Sequence, residues 1–176
     1  MPGVVLVTGV MASGKSTVAQ ALAERLPRAA HVRGDLFRRM IVSGRQDYDG
    51  GPGGEGESQL RLRYRLSAAT ADAYAEAGFT AVVQDVVLGE ELAAYVRLVR
   101  TRPLYVFVLA PGPEAVAARE AGRGKTGYGA HWSVTEPDRV LRAETPRIGL
   151  WPDTSELSVG ETVEAIVAER ERARVA

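Results

Sequence analysis

The sequence predicts an α/β fold: a parallel sheet carrying helices on both faces. Two patterns point to it. Short, continuously apolar runs alternate along the chain with helix-spaced segments, as in βαβ units with right-handed crossovers. The clearest runs, Val4–Val7 and Leu104–Leu109, have no polar alternation, which suits strands covered on both sides.

Val4–Val7 is the first predicted strand. Helical spacing follows over residues 15–26, with Val18, Leu22 and Leu26 four apart, until Pro27 stops it. A second strand is expected over Ala30–Val32, then a short helix over Leu36–Val42. Residues 43–57 hold six glycines and read as a flexible loop of the kind that carries function. A long helix from Glu57 to Ala77 ends at Gly78. Phe79–Val83 is the third strand, Glu90–Arg100 a helix, and Leu104–Leu109 the fourth strand. Pro113 suits the first position of the next helix. Residues 122–131 contain four glycines and are expected to be mobile. Ile148–Trp151 is the expected last strand, and Ser158-Val159-Gly160-Glu161 spells a capping box for a final helix. One domain over residues 1–176 is expected, with a mobile lid at about 119–135.

Composition narrows the classes. The chain has 176 residues, 45% of them hydrophobic, enough for a full core. With 22 basic and 22 acidic residues it lacks the net basic field of a nucleic-acid binder. It has no cysteine, which excludes thiol chemistry and thiolate metal sites. No apolar run approaches membrane-spanning length, and the first residues lack a signal-peptide pattern; a soluble, cytoplasmic protein without membrane contact is expected. A homo-oligomer is compatible with all of this.

The segment Gly9-Val10-Met11-Ala12-Ser13-Gly14-Lys15-Ser16 fits G-x-x-x-x-G-K-[ST] and stands between a buried strand and an amphipathic helix. Glycines there let successive N–H groups turn toward phosphate oxygens, and the helix that follows adds its positive end. Lys15 is expected on the β- and γ-phosphates and Ser16 on Mg²⁺. Lys15 stands out, because only two of the 22 basic residues are lysines. The loop identifies a P-loop NTPase fold that uses ATP or GTP with Mg²⁺. No asparagine occurs, so the N-K-x-D guanine motif of GTPases is absent. A chain this short has little room for motor modules, and a compact kinase remains.

Asp35 and Asp85 each follow a predicted strand, at the sheet edge where open α/β sheets bind ligands. Asp35 can take the proton of an attacking hydroxyl or help hold Mg²⁺; the alternative is a cap on the next helix, and the two are compatible. Asp85 can serve the metal or the acceptor, or simply end a turn. Arg119 and Arg123 share a helix face and could neutralise the migrating phosphoryl group, with a solvated charged face as the alternative. Arg38, Arg39, Arg61, Arg63 and Arg65 are candidates for an acceptor pocket or for surface solvation.

These motifs, with Gly34-Asp35-Leu36, Gln84 to Gly89, Arg119-Glu120 and Asp153-Thr154-Ser155, resemble the chloramphenicol phosphotransferase-like group within the shikimate, gluconate and adenylate kinase-like P-loop phosphotransferases. The resemblance implies a five-stranded parallel sheet, Mg²⁺ dependence, and phosphorylation of a small-molecule hydroxyl, in some members that of an antibiotic. It implies Asp35 as base, Asp85 on the substrate side, Arg119 in the lid beside the nucleotide, and Asp153 and Thr154 beside the base; Asp35, Asp85 and, from its place after Asp35, Arg38 are the substrate candidates. Gly9, Met11 to Thr17, and Arg123 complete the nucleotide set, and Lys15, Asp35 and Arg119 the catalytic set. Ser16, Asp35 and Asp85 are the metal candidates. Gln84-Asp85 stands where the group can have Asp-Asp. A nucleoside, nucleotide or polynucleotide-end kinase and a non-catalytic nucleotide-binding module stay open as alternatives.

Overall fold

A computed structural model describes residues 1–48, 51, 53–122 and 135–175. The elements are β1 (Val4–Gly9), α1 (Lys15–Arg25), β2 (Ala29–Arg33), α2 (Gly34–Arg39), α3 (Glu55–Glu76), β3 (Thr80–Gln84), α4 (Glu90–Leu98), β4 (Leu104–Leu109), α5 (Pro113–Ala121), α6 (Thr135–Arg139), α7 (Val159–Ala168) and β5 (Arg174–Val175). A π-helical turn over Val140–Glu144 extends α6, and a 3₁₀ turn over Arg170–Ala173 precedes β5.

The sheet has five strands in the order β2-β3-β1-β4-β5. Strands β2, β3, β1 and β4 run parallel, and β1 is central because its apolar residues are buried on both faces. Period-two alternation divides the core. Val5 and Val7 face Val18 and Leu22 of α1 and Val163 and Ile166 of α7. Val4 and Leu6 face the other way, with Tyr64, Ala68 and Ala71 of α3 and Leu92 and Tyr95 of α4.

The fold class stands as expected; the fifth strand differs in detail. β5 is the chain's last two described residues, antiparallel to β4 at Leu104 and Tyr105. The expected strand at Ile148–Trp151 contributes one parallel bridge, Leu150 to Phe107, with Leu150 N donating to Val106 O and Val108 N to Leu150 O, both at 2.9 Å. Gly149, with φ 72°, is the cause. It passes so close to β4 that a Cβ would lie 2.7 Å from Val106 Cβ, and such a backbone cannot continue a ladder. The expected capping box is present: Ser158 Oγ accepts from Glu161 N at 3.2 Å, and Ser158 N donates to Glu161 Oε2 at 2.8 Å. The glycine-rich loop after α2 is anchored at its base by Gln59, whose Oε1 accepts from Gln46 N and whose Nε2 donates to Gly44 O, both at 2.9 Å. Among the described residues no helix is long and apolar enough to cross a membrane.

Candidate active site

The register brings the candidate residues to one edge. Val7 of β1 lies beside Gln84 of β3, and Gln84 beside Arg33 of β2. Strands β2 and β3 therefore end level, β1 runs two residues further, and the segments leaving this edge carry the P-loop, Asp85 and Asp35. Here the chain passes from one side of β1 to the other, the crevice where open α/β sheets take ligands.

The loop at residues 9–14 is held in an unusual shape. Gly9 has φ 142°, and a Cβ there would lie 2.5 Å from Leu109 O and 2.9 Å from Ser13 Oγ. Gly14 has φ 92° and precedes α1 without a side-chain cap, which leaves first-turn N–H groups of α1 for a ligand. Ala12 also takes a left-handed φ, 60°, a local strain of the sort found at binding loops. Lys15 is only 6% exposed, and its Nζ donates to Val10 O at 2.6 Å, inside the loop it belongs to.

Arg119 of α5 spans the loop and the segment after Leu150. Its Nη1 donates to Ser13 O at 3.4 Å, and its Nη2 to Thr154 O at 2.6 Å and Ser155 O at 3.3 Å. Two hydroxyls at these same positions, Ser13 Oγ and Thr154 Oγ1, are buried with no partner among the described residues. Buried polar atoms normally find a partner, so this pair marks a place built for a polar ligand. Asp153 lies alongside, where Ser155 N donates to its Oδ1 at 2.9 Å and Ser155 Oγ at 2.5 Å; these bonds hold its carboxyl below the usual range. Ser155 Oγ in turn accepts from Gly112 N at 2.8 Å, fixing the segment against the start of α5.

On the other flank Asp35 sits in the first turn of α2. It does not cap that helix, whose N-cap, Arg33, makes no side-chain cap bond. Instead Asp35 Oδ1 accepts from Arg38 Nε at 3.1 Å, and Oδ2 pairs with Arg39 Nε at 2.6 Å. Its side chain stays 34% exposed. Burial pushes the Asp35 carboxyl up, but the Arg38 hydrogen bond and the charges of Arg38, Arg39 and Arg63 outweigh it and hold the group below its ordinary value. Arg38 also pairs with Asp47 in the loop after α2.

Asp85, the candidate for the metal or the acceptor, is held in a buried ion pair. Its side chain is 0% exposed, and both oxygens accept from the Arg63 guanidinium, Oδ2 from Nε at 2.8 Å and Oδ1 from Nη2. Oδ1 also accepts from Val86 N at 2.7 Å. Arg63, 14% exposed, is the member of the pair nearer solvent. Among the described residues no group of three or more His, Asp or Glu side chains could hold a metal ion.

The P-loop residues fit a nucleotide phosphate with Mg²⁺. The glycine-shaped hollow, the inward Lys15 and the orphaned Ser13 hydroxyl all suit phosphate oxygens. Ser16 is half-buried at the start of α1, where it would hold the ion alongside those oxygens. Arg123 lies outside the described residues, as do residues 123–134 of the expected lid. Thr17 is exposed on α1, and Met11 is half-buried in the loop.

Sequence reading missed the supports of this site. Thr8 Oγ1 donates to Val87 O at 3.0 Å and accepts from Val87 N at 2.9 Å, tying the end of β1 to the segment after Asp85. A lone hydroxyl in a buried apolar strand was the available signal. Tyr64 Oη donates to Val86 O at 2.7 Å, and burial pushes that phenol up.

A family model described as AAA domain (AAA_33) matches residues 4–145. No curated protein matches by sequence. Among solved structures the chain is similar to a sugar kinase from Janibacter sp. HTCC2649, at 20% identity over 98% of this chain and 96% of that one, TM-score 0.72. It is similar to the tunicamycin resistance protein of Deinococcus radiodurans, at 18% identity over 100% and 99%, TM-score 0.67. A gluconokinase from Sinorhizobium meliloti 1021 matches at 19% identity over 97% and 93%, TM-score 0.64. At these identities the likeness concerns the fold. With the family model spanning most of its length, the chain belongs to the AAA domain (AAA_33) family of P-loop proteins.

Proposed function

We propose that the protein is a phosphotransferase that moves the γ-phosphoryl group of ATP or GTP to a hydroxyl of a small molecule. The observation that carries this reading is the common edge of β1, β3 and β2, which sets a phosphate loop beside an ionised, accessible carboxylate, Asp35. A binding module needs the loop; a kinase needs both. The kinases and the tunicamycin resistance protein of like fold support the same class, and an antibiotic acceptor is one form of it.

The acceptor oxygen attacks the γ-phosphorus as the bond to the β,γ-bridging oxygen breaks. The nucleoside diphosphate leaves with that electron pair, and the acceptor proton passes to the Asp35 carboxylate. The transition state is loose, so little basicity is asked of Asp35, consistent with a carboxyl held below its ordinary value. Lys15 and Arg119 neutralise charge spreading over the migrating group. Asp153 and Thr154 border the base, and Arg38 orients Asp35 beside the acceptor. Mg²⁺, held by Ser16, would screen the phosphate oxygens from one another.

The test is incubation with ATP or GTP, Mg²⁺ and a panel of hydroxylated metabolites and antibiotics, read by mass spectrometry. Asp35→Ala should lower turnover about 10²- to 10⁴-fold and leave nucleotide affinity in place. A folded, nucleotide-binding protein that yields no phosphorylated product with any acceptor would sink this reading.

A further inference from the structure

Four arginines of α2 and α3, on the Asp35 flank of the site, are each ion-paired. Arg38 is shared between Asp35 and Asp47, and Arg39 pairs with Asp35 at 2.6 Å. Arg61 pairs with Glu57 at 2.8 Å and Glu91 at 3.1 Å. Arg63 is engaged at both ends of its guanidinium by the fully buried Asp85. The set is four guanidiniums against five carboxylates (Asp35, Asp47, Glu57, Asp85, Glu91), one negative charge in excess before any ligand enters. Arg45 and Arg65 lie outside the set and are exposed.

Resting on the phosphotransferase reading, we propose that the acceptor is electrically neutral where it meets this protein, and that Asp85 determines this by neutralising Arg63. An anionic acceptor would lie between a triphosphate and a site already negative. Among the described residues the partly buried guanidinium it would meet is Arg63, which it could gain only by drawing it away from a buried carboxylate. Removing one partner of a buried pair is heavily disfavoured, which sets the discrimination at about 10²- to 10³-fold in affinity. A polyol, an uncharged sugar or a nucleoside asks for no such exchange, because its hydroxyls can bond to the paired groups as they stand. Gly34 leaves room for the arrangement: a Cβ there would come well inside 3.0 Å of the Asp85 carboxylate.

The experiment saturates the P-loop with Mg·ADP and titrates inorganic sulfate as the anion probe, followed by calorimetry, into the wild type, Asp85→Asn and Arg63→Gln. The wild type should show no saturable sulfate site that depends on Arg63. Asp85→Asn, with Arg63 released, should bind sulfate at least about ten-fold more tightly than the wild type. If Asp85→Asn does not fold, the wild type and Arg63→Gln decide. Millimolar or tighter sulfate binding by the wild type that Arg63→Gln abolishes would overturn the proposal. An Asp85→Asn protein that folds yet binds sulfate no better than the wild type would do so too. Turnover is read separately on matched pairs, a nucleoside against its 5′-monophosphate and an aldose against its aldonic acid. The neutral member should be favoured, and preference for the charged member overturns the proposal. Absence of turnover with every pair counts against the phosphotransferase reading alone, since the sulfate titration does not depend on it.

Discussion

Replacing Gly34 by alanine sets two rules against each other. Gly34 opens α2 with a backbone that any residue can adopt, and helix propensity alone favours alanine there by about 1 kcal/mol. The packing says the reverse. The new Cβ would fall well under 3.0 Å from Asp85 Oδ2 and Cγ, and 3.1 Å from Asp85 Cβ. The carboxylate cannot swing aside, because Arg63 holds both oxygens and Val86 N holds Oδ1 at 2.7 Å. If α2 shifts instead, the cost is that of overpacking, about 1–3 kcal/mol. If the buried pair breaks, it is about 3–5 kcal/mol. After the propensity gain, the net loss is up to about 2 kcal/mol if α2 shifts and about 2–4 kcal/mol if the pair breaks, the latter equivalent to a fall in Tm of about 4–16 °C for a chain of this size. Urea and thermal unfolding without nucleotide measure it. Gly160→Ala is the control: it lies in α7, a Cβ there meets nothing within 4 Å, and the substitution should be neutral or stabilising. The reasoning is refuted if Gly34→Ala is as stable as the wild type or gains stability as Gly160→Ala does.

Asp72, 1% exposed on α3, accepts from Thr101 N at 2.9 Å and from Arg100 N and Nε at 3.2 and 3.3 Å. Burial pushes its carboxyl up, but the bonds from Thr101 and Arg100 prevail and hold it below the ordinary 3.8. A depressed carboxyl stabilises fully above its unfolded value and loses that contribution as pH falls through the folded one. Asp72→Asn should therefore cost about 1.5–3 kcal/mol near neutrality, with the gap to wild type closing in urea melts on acidification below 3.8. Arg119→Ala should lower turnover about 10²- to 10³-fold in steady-state assays, and Arg119→Lys should restore it only partly, since one ammonium cannot span Ser13 O and Thr154 O. Ala12→Gly should relieve the left-handed strain at φ 60° and raise stability by up to about 1 kcal/mol in thermal melts without nucleotide.

The layered fold was legible because strands buried on both faces carry uninterrupted Val, Leu and Phe, and because helix spacing in α1 and α7 is regular. The phosphate loop was legible for a different reason: its glycines are demanded by backbone shape, and that demand is local. What stayed hidden depends on pairing across distance. Nothing in Ile148-Gly149-Leu150-Trp151 announces that Gly149 kinks against Val106, or that the last residues return antiparallel. Arg61, Arg63 and Arg65 look alike in sequence, and only the packing of α3 on the sheet edge turns Arg63 onto Asp85 and leaves Arg65 exposed. For the same reason Asp85 reads as a ligand from its place after a strand, and its burial appears only in three dimensions. Thr154 was singled out by resemblance, but its orphaned hydroxyl beside that of Ser13 is visible only in the folded chain.

The most direct test is calorimetric titration of Mg·ATP and Mg·GTP into the wild type and Lys15→Met, which keeps the buried length of a side chain only 6% exposed. Saturable binding of at least one triphosphate by the wild type, weakened about 10- to 100-fold in a folded Lys15→Met, is the expected result. A folded wild type that binds neither, or a variant that binds as tightly as its parent, would contradict the claim that residues 9–16 grip a nucleotide.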